Sequence, residues 1–78
     1  MSRPDLAELV HVTSRLLAPA LELVGARHVD HARRRDAAAR LRLGRALLRR
    51  HPNVAERLGR RFGGELPELL ERAERACG

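Results

Sequence analysis

Seventy-eight residues make one domain at most, and a chain of that size buries only about 60% of the surface it exposes when unfolded. Its apolar residues are chiefly Leu, Val and Ala, with Phe62 the sole aromatic and no Ile, Trp or Tyr, an inventory that suits helix packing and excludes a strand-rich core. The net charge of +6 comes from 16 Arg and no Lys against 10 acids, and no apolar run reaches the length of a membrane span.

The first predicted helix runs from about Arg3 to Val24. Ser2 is placed to cap it, with Asp5 three residues on in a capping-box-like pair and Pro4 in the first turn. At 100° per residue, Leu6, Leu9, Val10, Thr13, Leu16, Leu17, Ala20, Leu21, Leu23 and Val24 fall within an arc of roughly 160°. The arc stays in phase across Pro19, which predicts one kinked helix. Gly25 then supplies the C-terminal stop.

A second helix is predicted over 30–50, with Asp30 as its cap. Its apolar side is thin: Ala37, Leu41, Gly44, Leu47 and Leu48. Gly44 on that side marks a close helix crossing, because an interior Gly otherwise costs about 1 kcal/mol. His51-Pro52-Asn53 separates it from a third helix over 53–62, where Asn53 and Glu56 have capping-box spacing. Gly63-Gly64 breaks the chain, and a fourth helix over 66–76 carries Leu66, Leu69, Leu70, Ala73 and Cys77 on one face. Glu68–Arg72 and Glu71–Arg75 are i,i+4 pairs in the favourable orientation. The expected fold is all-α, a small bundle of two long antiparallel helices and two short ones. A core this small predicts a homodimer, with Leu9, Leu16 and Leu23 of the first helix as the self-association surface.

Charge is distributed unevenly along these elements. Residues 27–61 hold 12 Arg against Asp30, Asp36 and Glu56, a net of +9, while the segments on either side are net acidic. With Arg33 set at zero on a helical wheel, Arg34, Arg45, Arg49, Arg42 and Arg35 fall between about 100° and 200°. Arg57, Arg60 and Arg61 follow on the third helix. Guanidinium is planar, always charged and suited to bidentate phosphate contact, so these eight residues form a candidate anion-binding face. A solvated face in an arginine-biased chain is the plain alternative.

Nucleic acid is the first partner such a face predicts, through its backbone. Base readout favours amide side chains as well as Arg, and the chain has no Gln and a single Asn. Stacking on unpaired bases needs aromatic platforms, and Phe62 is expected in the core. A helix-turn-helix built from the last two helices would offer Glu65, Glu68, Glu71 and Glu74 to phosphate, which repels them. The alternative is an adaptor that docks on a protein partner through the apolar face of the first helix.

Arg33 and Arg40 fall in the apolar sector of the second helix. Arg33 is near enough to the helix start to reach solvent, and Arg40 is expected to form a structural salt bridge with an acid on another helix, to snorkel or to meet a ligand anion. A small enzyme clamping an anion around Arg40 is a third reading, but no general acid or base accompanies it. Glu8–His11 and His28–His31 have metal-ligand spacing without a fixed third ligand, so no metal or cofactor is expected. Ser14, Thr13 and Cys77 form no nucleophile constellation. The lone Cys77 excludes a disulfide framework, the first residues carry no signal-peptide apolar segment, and the expected compartment is the cytoplasm.

Overall fold

The computed structural model describes residues 5–78, so the expected cap Ser2 and helix start at Arg3 lie outside them, while Asp5, expected inside the helix, is extended and precedes it. Four helices follow in order: α1 (Leu6–Leu23), α2 (His31–Arg50), α3 (Pro52–Arg61) and α4 (Leu66–Cys77). The described residues form no strand, and none of these helices is long and apolar enough to cross a membrane.

The helix ends follow local chemistry. Asp5 caps α1, its carboxylate accepting from the Ala7 N–H at 3.4 Å. Asp30 caps α2 by accepting from the Arg33 N–H at 2.7 Å. α3 starts one residue earlier than the sequence predicts. Pro52 occupies the first turn, where its missing N–H is no loss, and His51 takes the cap position without a side-chain bond. Asn53 is therefore inside the helix and does not cap it. α3 ends in a Schellman arrangement: Gly64 N–H donates to the Gly59 carbonyl at 2.8 Å and Gly63 N–H to the Arg60 carbonyl at 3.1 Å. Gly63 has the positive φ that this turn demands, +64°, and Gly64 after it is also left-handed at +83°.

α1 and α2 lie antiparallel. Arg33 near the start of α2 pairs with Glu22 near the end of α1, and Gly44 further along α2 meets Leu17 further back in α1. A β-carbon at Gly44 would stand 2.8 Å from Leu17 Cδ2, the close crossing that the glycine predicts. α1 runs unbroken through Pro19 and buries Val10, Thr13, Leu17, Ala20 and Leu23. Ala37 and Leu41 of α2, Val54 and Leu58 of α3, and Leu66, Leu70 and Ala73 of α4 complete one core. The particle is flat, 41 × 29 × 15 Å.

Candidate nucleic-acid interface

On α2 the side that faces the core carries Ala37, Leu41 and Gly44, which leaves the long arginine side chains to the flanks. Arg35, Arg42 and Arg49 are exposed, and none makes an ion pair among the described residues. They repeat every seven residues, so they form a row with steps of about 10.5 Å along one flank.

Two other predicted members of this face are placed differently. Arg45 sits at the edge nearest α4 and donates to the Glu74 carboxylate at 2.8 Å, with its side chain only 32% exposed. It ties α2 to α4. Arg34 is half-buried, and its Nε is enclosed without a hydrogen-bond partner among the described residues. Arg34 lies near Cys77, whose thiol burial pushes above its usual range while the guanidinium offsets part of the shift. A groove of about 280 Å³ runs here between α2 and α4, lined by Ala38, Leu41, Arg42, Arg45, Glu74 and Cys77, with Gly78 at its end.

The α3 arginines do not extend the α2 row. Arg57, Arg60 and Arg61 line a separate groove with Ala7 and Val10 of α1, and Arg60 is already paired with Glu56 at 2.6 Å. The α3 flank turned toward Arg45 and Leu48 is Ala55 and Gly59, without charge. The eight arginines thus do not form one continuous face: those of α3 line a groove of their own.

Arg40, which the wheel places in the apolar sector, is half-exposed, and its partner is not an acid of another helix but Asp36 one turn earlier, which accepts from its Nε at 2.9 Å. Glu71 and Arg75 approach to 3.9 Å, whereas Glu68 and Arg72 form no ion pair. Glu74 is the residue whose role sequence reasoning missed. Its signal was indirect, a carboxylate on the edge of the last helix that neither of the two i,i+4 pairs uses. No three His, Cys, Asp or Glu side chains converge as metal ligands among the described residues.

Of the three residues expected to mediate self-association, Leu23 is 3% exposed within a single chain, so its surface is spent on the fold. Leu9 is half-buried against the core, and Leu16 is half-buried outside the core cluster. The large apolar side chains left open are Val12, 41% exposed, and Leu43, 60% exposed.

The chain matches no known family model, no curated protein and no solved structure, so its function has to be read from these residues.

Proposed function

We propose that this protein is a non-catalytic module that self-associates and binds the phosphate backbone of nucleic acid, with little regard to base sequence, through the outer flank of α2. The observation that carries this reading is the row Arg35, Arg42 and Arg49, exposed and without ion pairs among the described residues. Three exposed guanidiniums held at fixed intervals on one rigid helix suit an anion that reaches all of them. Phosphates repeated along a strand meet that requirement. Arg34 and Arg45 stand behind the row and add positive potential, and the α3 patch offers a second, separate contact. The adaptor reading has less support, because most of the apolar face of α1 is used in the chain's own core.

The test is to replace Arg42 and Arg49 together with Glu and titrate mixed-sequence duplex DNA and RNA. Binding is expected to fall at least tenfold while the circular dichroism spectrum and melting temperature stay close to those of the parent, since neither side chain is in the core. Arg72 and Arg75 changed to Glu on α4 alter the net charge equally and serve as the control, with a much smaller effect. Equal losses from both variants would show that net charge, and not this row, does the binding.

A further inference from the structure

We infer that the second copy of the chain packs on the outer edge of α2, antiparallel about a two-fold axis through Leu43, with Asp36 of each copy meeting Arg50 of the other. The inference rests on the self-association proposed above and assigns it a surface.

α2 carries a second apolar stripe, separate from the one that faces the core. Ala39, Leu43 and Ala46 are all exposed, and Leu47 beside them is half-buried without joining the core cluster. At 100° per residue these four span about 100° on the side of α2 away from α4. Leu16 of α1 borders the stripe, because a β-carbon on Gly44, between Leu43 and Leu47, would lie 3.4 Å from Leu16 Cβ. Leu43, 60% exposed, is the large hydrophobic most open to water among the described residues.

The ends of the stripe identify what covers it. Asp36, the only acid of α2, lies seven residues before Leu43 on the same line, with Oδ2 accepting from Arg40 and its other oxygen left to a second cation, and Arg50 lies seven residues after Leu43. Arg50 is exposed and makes no ion pair among the described residues. A second α2 laid antiparallel and centred on Leu43 brings Asp36 of each chain opposite the other's Arg50. It also sets Leu47 against the small Ala39 and packs the two Leu43 side chains together. The pattern of acid, small residue, Leu, Leu and base is complementary to its own reverse, as an isologous two-fold interface requires.

The pairing has a consequence for the arginine row. Arg35, Arg42 and Arg49 lie about 90° around α2 from the centre of the stripe. A two-fold axis perpendicular to the paired helices keeps that direction common to both copies. The dimer then presents two antiparallel arginine rows on one side, with the helix axes about 8–10 Å apart.

The test uses charge reversal in the full chain. Asp36→Arg and Arg50→Asp are prepared separately, and each alone places like charges at both ends of the interface. Sedimentation equilibrium is expected to show the parent as a dimer and each variant with dimerisation weakened at least tenfold, with unchanged helicity. An equimolar mixture of the two is expected to recover dimer, because the heterodimer regains both opposite-charge contacts. Leu43→Glu, which adds charge at the centre, is expected to abolish dimer in every combination. A parent that stays monomeric at high micromolar concentration would overturn self-association itself. A parent that dimerises, with variants that dimerise as well as it does or a mixture that stays monomeric, would overturn this interface and leave self-association standing.

Discussion

A β-carbon on Gly44 would come within 2.8 Å of Leu17 Cδ2 and 3.2 Å of Leu17 Cγ, whereas one on Gly59 would meet nothing within 4 Å. Both glycines sit inside helices, where Ala is favoured by about 1 kcal/mol. Leu17 is 1% exposed and has no room to withdraw, so Gly44→Ala is expected to lower the melting temperature despite the gain in propensity. Gly59→Ala is expected to raise it by about 4–8 °C, and paired thermal melts check both. Thr13 presents a related contrast: it is fully buried, and its Oγ1 has no hydrogen-bond partner among the described residues. Thr13→Val keeps the shape and removes an unsatisfied hydroxyl, so unfolding free energy measured in urea is expected to rise by about 1 kcal/mol. The crossing at Gly44 was legible in the sequence, since a helix tolerates Gly on its apolar side only for a reason. The unsatisfied Thr13 hydroxyl was not, because periodicity counts Thr simply as part of the arc.

At the level of elements, number, order and type were legible, and the ends were less so. Asp30 caps α2 as its position before the helical pattern indicates, and Asp30→Ala is expected to cost about 1 kcal/mol, read from chemical denaturation. Asn53 and Glu56 have the spacing of a capping box, yet Pro52 starts α3 one residue sooner because its ring already has a helical φ. The wheel assigned Arg40 to the core sector but could not show that Asp36, one turn away, holds it at the edge. It also separated α2 into a thin apolar side and a basic side and missed the exposed stripe between them. Ala39 and Ala46 do not register as hydrophobic signal, and Leu43 falls outside the arc of the core-facing residues.

For the whole molecule, the net positive middle of the chain was the clearest feature of the sequence, but charge along a chain is not charge on a surface. The fold turns α3 so that Arg57 and Arg61 lie beside α1, and it brings Glu74 of acidic α4 against Arg45. Three arginines of α2 remain as the row on which the functional reading stands. If they grip phosphates, the logarithm of the binding constant for duplex DNA falls linearly with the logarithm of salt concentration, with a slope of roughly −0.9 per phosphate neutralised. The most direct measurement is that salt series, run by fluorescence anisotropy on two duplexes of unrelated sequence. The account predicts the same slope for both, about −3 per chain bound, reduced by about two when Arg42 and Arg49 are changed to Glu. Absence of binding at low salt, or a slope that the double substitution leaves unchanged, would contradict it.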